Sequence, residues 1–215
     1  MKDTKGKDEN AKILRSFTSC LVSLVFDFQT CRGMNIVNAT NISALKETLE
    51  KIQSTTIQPL DPVIDKIKES IEPFDSNKNI SNGFKAAQWC LNNGLFQQAA
   101  TILQENVVSF FAQRNGIDID DSDRRKLINS AFNVICYKTP KNKWDVKEQY
   151  LGLFEEIMKD EILKDNDIIN AFDNLSNVRN DVNHSGMRSS QVPLSAKAIR
   201  ENIKKCMDIF ENKLN

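Results

Sequence analysis

Residues 166–186 read NDIINAFDNLSNVRNDVNHSG. Ile168, Ile169, Phe172, Leu175, Val178 and Val182 recur at three- and four-residue steps, which is the spacing of one face of an α-helix. Asn166-Asp167 can cap the start of that helix, and Ser185-Gly186 invite its end. Arg179 falls about 40° around the axis from Leu175, so it lies beside the apolar stripe. An arginine in that position needs a partner, because an unpaired buried charge is costly. Asp181 is available as a salt-bridge partner, whereas Asn180 and Asn183 can orient the guanidinium without cancelling its charge. His184, the sole histidine of 215 residues, would point roughly 180° from Leu175 in an unbroken helix. The run Asn-Asp-Val-Asn lowers helix propensity, so the spacing puts His184 in the last turn or just past it. A helix C-terminus favours the imidazolium form and helps hold the pKa near neutrality.

The same period extends in both directions. Ile13, Leu14, Phe17, Leu21, Leu24, Val25 and Phe28 form one helical stripe, ended by Arg32-Gly33. Met34 to Thr40, with Ile36-Val37, reads as a brief extended connection. Asn41 or Ser43 then caps a helix through Leu45, Leu49 and Ile52, and Pro59 and Pro62 open another that stops near Pro73. DSNKNISNG (75–83) is the clearest break in the chain. Beyond it, helices are expected over 84–94, over 95–113, from an Asp121 cap to Ile135, and over 144–163, with a basic loop at 138–143. The 166–186 helix follows, then a loop from Met187 to Val192 and a last helix from Pro193. The fold class is therefore all-α, with eight or nine helices. It divides into a polar tail at 1–10, an N-terminal helical segment at 11–74 and a helical domain at 83–215.

Composition narrows the function. Lys+Arg and Asp+Glu are 29 each, so net charge gives no sign of a nucleic-acid partner and any basic surface must be local. Cys20, Cys31, Cys90, Cys136 and Cys206 are scattered, form no CxxC pair and read as reduced, buried thiols of a cytoplasmic protein. The best apolar run, Cys20 to Phe28, is too short to span a bilayer and holds Asp27, so no membrane segment is expected. No GxGxxG, Walker loop, GxSxG or HExxH occurs, and neither a metal nor a cofactor is expected. Trp89, Trp144 and Phe110-Phe111 read as core. Lys138, Lys141, Lys143 and Arg124-Arg125 read as solvated faces rather than RNA tracks.

RNA can be cut without a metal when its own 2′-hydroxyl attacks the adjacent phosphate. That route needs a proton acceptor, a proton donor and a cation over the developing charge. One Arg and one His are an incomplete set. Two copies related by a two-fold axis would supply an acid, a base and a charge clamp.

Arg179-Asn180-x-x-x-His184, within RNDVNH and followed by Ser-Gly-Met, resembles the R-x4-H motif (Arg-polar-x-x-x-His) of HEPN-domain ribonucleases. Upstream, GFKAAQWCLNNGLFQQAATILQENVVSFFAQRNGID (83–118) looks like the helical half of type III CRISPR-associated HEPN ribonucleases. Their corresponding stretch also pairs a Trp-containing helix with a Q-A-x-T-x-x-x-E helix. The likeness covers Gly83 to the C-terminus and, more loosely, Ala11 to Phe74.

The resemblance implies a helical bundle that dimerises so that both motifs face one cleft. Arg179 and His184 would be the catalytic pair, with Asn180, and beside it Asn183, in support. The implied substrate is single-stranded RNA, in CRISPR-linked antiviral defence. Such proteins usually carry an N-terminal Rossmann-like CARF domain that senses cyclic oligoadenylate. This chain shows no βαβ pattern, so such control would come only through a domain absent from it. The alternatives are a catalytically inactive HEPN module that binds RNA or a partner protein, and a structural helical protein whose Arg179 pairs with Asp181.

Overall fold

The computed structural model describes residues 9–52, 58–187 and 192–214, and every regular element among them is helical. Ten α-helices are present: α1 (Glu9–Gln29), α2 (Gly33–Val37), α3 (Thr40–Ile52), α4 (Asp61–Ile71), α5 (Ser81–Asn92), α6 (Phe96–Arg114), α7 (Ser122–Cys136), α8 (Leu151–Ile157), α9 (Asn166–Asn183) and α10 (Ala196–Leu214). None is long and apolar enough to cross a membrane. The chain forms two compact units that divide inside α5, between Trp89 and Cys90.

In the N-terminal unit α1 packs along α3. Phe17, Leu24 and Phe28 of α1 are buried, as are Ile42, Leu45, Leu49 and Ile52 of α3. The Phe28 ring lies 5.8 Å from Phe74 and 5.1 Å from Trp89. Asp27 is buried on the same helix, and its carboxylate accepts from the Asn35 amide at 2.8 Å and the Asn41 amide at 2.5 Å. Those two bonds replace lost hydration and tie α1 to the chain that follows it. The segment 34–40 is not extended. Residues 33–37 form a short helix that buries Ile36 and Val37. Five residues are too few for a helical period to show in sequence. The next helix begins at Thr40, ahead of both expected caps.

In the C-terminal unit α6 is the central element. Eleven of its side chains are buried, from Ala99 to Ala112, and they lie all around the helix. It is flanked by α7, α9 and α10, and α9 also packs along α7 and α10. Phe111, Phe132 and Phe172 form an aromatic column through α6, α7 and α9, with Phe132 and Phe172 stacked at 3.8 Å and 7°. Phe111 is core as expected, and Trp144 meets Phe154 edge-on at 5.0 Å.

Several boundaries differ from the sequence reading. The helix expected over 144–163 is only Leu151–Ile157, preceded by single 3-10 turns at 141–143 and 148–150. Trp144 is drawn back by its indole N–H, which donates to the Thr139 carbonyl at 3.1 Å. Beyond α8, Asp160 Oδ1 accepts from the Ile162 amide at 3.0 Å, a local bond that competes with helix continuation. α10 begins at Ala196 rather than Pro193, with the Ser195 hydroxyl accepting from the Ala198 amide at 3.2 Å. Of the expected tail, residues 1–8 lie outside the described residues, and Glu9 and Asn10 belong to α1. Residues 188–191 of the expected 187–192 loop also lie outside them. None of the five cysteines is in a disulfide, and only Cys90 and Cys206 are buried. Cys20, Cys31 and Cys136 are half-buried.

Candidate active site

α9 is fixed at both ends. Asp165, not Asn166 or Asp167, is its N-cap, accepting from the Asp167 and Ile168 amides at 2.8 and 3.3 Å. Lys213 of α10 clamps that cap, with Nζ 2.8 Å from Asp165 and 3.1 Å from Asp167. At the other end His184 is the C-cap residue, Ser185 takes φ 53° and Gly186 φ 69°. The Gly186 amide donates to the Asp181 carbonyl at 2.9 Å and the Ser185 amide to the Val182 carbonyl at 3.1 Å. This is the paired bonding of a Schellman stop, which satisfies the last carbonyls of the helix. His184 is thus at the helix end, as its neighbours foretold, with an exposed side chain.

Arg179 faces α6. One terminal nitrogen donates to Gln104 Oε1 at 3.0 Å, and Glu105 Oε1 lies 3.9 Å from it. The Gln104 amide donates onward to Ser176 Oγ at 2.9 Å, and that hydroxyl donates to the Phe172 carbonyl at 2.9 Å. This chain of bonds aims the Gln104 carbonyl at the guanidinium. Asp181 is not the partner. Residues two apart on a helix do not face each other, and buried Asp181 instead accepts from the Leu194 amide at 3.3 Å.

A second arginine joins the cluster. Arg125 of α7 donates to Ser109 Oγ at 2.9 Å, to the Glu105 carbonyl at 3.1 Å and to Glu105 Oε2 at 3.2 Å. Glu105 therefore stands between two guanidinium groups, leaving one excess positive charge beside α9. The Nε atoms of Arg125 and Arg179 are buried without a hydrogen-bond partner among the described residues. Arg125 is thus not the solvated charge that its sequence neighbourhood suggests. The available signal is its place three and seven residues before Ile128 and Phe132, on the buried face of α7. Glu105 is the acidic residue of the Q-A-x-T-x-x-x-E stretch, and Gln104 beside it carries no motif of its own.

Asn183 accepts from the Gln97 amide at 3.1 Å, which ties the end of α9 to the start of α6. Among the described residues Asn180 makes no side-chain hydrogen bond to Arg179. It lines a cavity toward α7, and its carbonyl accepts from the His184 amide at 3.0 Å. Positions 179 and 184 are about 140° apart around the axis, so one copy of α9 directs its cation and its imidazole to different sides. No three His, Cys, Asp or Glu side chains gather to hold a metal ion among the described residues. Compared with family models, with curated proteins and with solved structures, the chain gives no match.

Proposed function

We propose that this chain is a metal-independent endoribonuclease of the HEPN type, cutting single-stranded RNA as a homodimer in CRISPR-linked antiviral defence. The observation that carries the reading is the setting of Arg179. Among the described residues its one hydrogen-bond partner is the neutral Gln104 carbonyl at 3.0 Å, with the Glu105 carboxylate held off at 3.9 Å and shared with Arg125. A guanidinium oriented by a neutral group keeps its charge for a phosphate. The exposed C-cap His184 supports the same reading, because its imidazole is open to a substrate arriving from solvent.

The chemistry follows from two facing copies. One His184 takes the proton of the 2′-hydroxyl as its oxygen attacks phosphorus. The bond from phosphorus to the 5′-oxygen breaks, and the second His184 protonates that oxygen. The two Arg179 side chains stabilise the charge that builds on the non-bridging oxygens. The products are a 2′,3′-cyclic phosphate and a 5′-hydroxyl.

The test is cleavage of single-stranded RNA in EDTA by the wild type, Arg179→Ala and His184→Ala, with the oligomer followed by size exclusion. The expected result is cleavage by the wild type and none by either variant, with the dimer intact. Cleavage that survives in His184→Ala overturns the proposal.

A second reading is favoured by the Arg125–Glu105–Arg179 network. Two ion pairs on one carboxylate also suit a non-catalytic HEPN module in which Arg179 only joins α9 to α6. It predicts RNA or protein binding with no turnover at any enzyme concentration.

A further inference from the structure

α7 and α9 enclose a cavity of about 190 Å³ that the chemistry above does not use. Its floor is the stacked pair Phe132 and Phe172. Its polar lining comes from Asn133 and Tyr137 on the α7 side and from Asp173, Asn177 and Asn180 on α9. Tyr137 is 69% exposed, and its hydroxyl donates to Asp173 Oδ1 at 3.4 Å. The Asn177 amide donates to Asp173 Oδ2 at 3.2 Å. Burial and the Asp173 carboxylate push the Cys136 thiol up, so it stays protonated and is a further donor to that carboxylate.

Three properties select a ligand class. The volume is below the roughly 300–1,000 Å³ of pockets for drug-sized molecules, which suits one planar ring system. An aromatic at the rim and aromatics beneath suit stacking, while carboxamides and a carboxylate suit a hydrogen-bonding edge. Position supplies the rest. Ser176, Asn180 and His184 follow one another at four-residue steps, so the cavity lies on the face of α9 that leads to the histidine. Along the axis His184 lies one turn, about 5.4 Å, beyond Asn180 and about 16.5 Å beyond Asp173, a span that takes a base and one or two nucleotides.

We propose that this cavity is the base subsite of the ribonuclease and takes guanine one or two nucleotides from the scissile phosphate; the assignment rests on the ribonuclease reading. A carboxylate accepts and does not donate, and it can accept two parallel bonds. Guanine alone among the RNA bases sets two donors side by side on its Watson–Crick edge, N1–H and the 2-amino group. Asp173 is the group that reads them. Asn177 and the Tyr137 hydroxyl hold it in place until the base arrives.

Binding and cleavage separate the two claims. Guanosine 3′-monophosphate and uridine 3′-monophosphate are titrated into the full chain, and the side-chain amides of Asn133, Asn177 and Asn180 are followed by NMR. The guanosine nucleotide is expected to shift these signals, and Asp173→Asn to weaken it roughly tenfold relative to the uridine nucleotide. Tyr137→Ala, a rim substitution that leaves the core untouched, is expected to weaken both. Unmoved amides, equal response to the two nucleotides, or full guanosine binding by both variants overturns the assignment. In RNA with a single guanosine among uridines, cleavage is expected at a fixed position within two nucleotides of the guanosine. Uniform cleavage overturns the subsite and leaves the ribonuclease standing. Guanosine binding without any cleavage overturns the ribonuclease and leaves a guanine site.

Discussion

Gly186 shows how one residue fixes where His184 stands. Its φ of 69° is a conformation that side chains rarely adopt, and a Cβ built there would meet Pro193 Cβ at 2.9 Å. Both costs fall on Gly186→Ala, which is expected to destabilise the fold by about 1–3 kcal/mol in urea unfolding. His184→Ala removes an exposed side chain and should change stability by no more than about 0.5 kcal/mol. A loss of cleavage in that variant would then be chemical, not structural. Gln104 is the opposite case. It is buried and serves two bonds, one to Arg179 and one to Ser176. Gln104→Ala is expected to cost about 2 kcal/mol, since a hydrogen bond to a charged group is lost together with the bond to Ser176. Its cleavage rate should fall as well, because Arg179 is then steered toward Glu105.

At the level of elements, α9 depends on its Asp165 cap and the Lys213 clamp from α10. The Lys213 hydrogen bond, and after it the bonds from the Ile168 and Asp167 amides, hold the Asp165 carboxyl below its ordinary value. A depressed carboxyl contributes stability that is present above its unfolded pKa and is lost as pH falls through the folded one. Asp165→Asn keeps a capping oxygen and removes the charge. The stability gap between wild type and this variant is expected to be flat from about pH 6 to 8 and to close below about pH 4. The pair is partly exposed, so the plateau should be under about 1 kcal/mol. Chemical denaturation across that pH range measures it.

The long stripes of α1, α6, α7 and α9 could be read from spacing because each repeats its period over at least four turns. The five-residue α2 and the shortened α8 could not. One lacks a full period, and the other is cut by side chains that bond local backbone, Trp144 to Thr139 and Asp160 to Ile162. The same divide runs through the candidate site. The place of His184 was legible because its signal is local: weak helix formers followed by Ser185-Gly186. The partner of Arg179 was not, because Gln104 is 75 positions away and meets it only once α6 and α9 pack.

For the whole molecule the decisive fact is angular. Arg179 turns toward α6 while His184 closes the helix about 140° further around, and the chain holds no other histidine. If cleavage needs two imidazoles, a single copy cannot perform it, and a dimer carrying one His184→Ala chain should fail even though its other chain is intact. Wild type mixed with a tenfold excess of His184→Ala and allowed to exchange subunits would then find a wild-type partner about once in eleven pairings, so its activity should fall to about one-tenth. Arg179→Ala in the same excess should also quench it, because each mixed dimer then holds one clamp instead of two. Activity that stays proportional to the wild-type chains present would mean that each copy works alone. The second proton carrier would then have to come from elsewhere in the same chain. Tyr137 is a poor candidate, since the Asp173 carboxylate raises its pKa and keeps the phenol protonated. The mixing ratio therefore tests the stoichiometry of the imidazole directly, whichever RNA sequence the protein prefers.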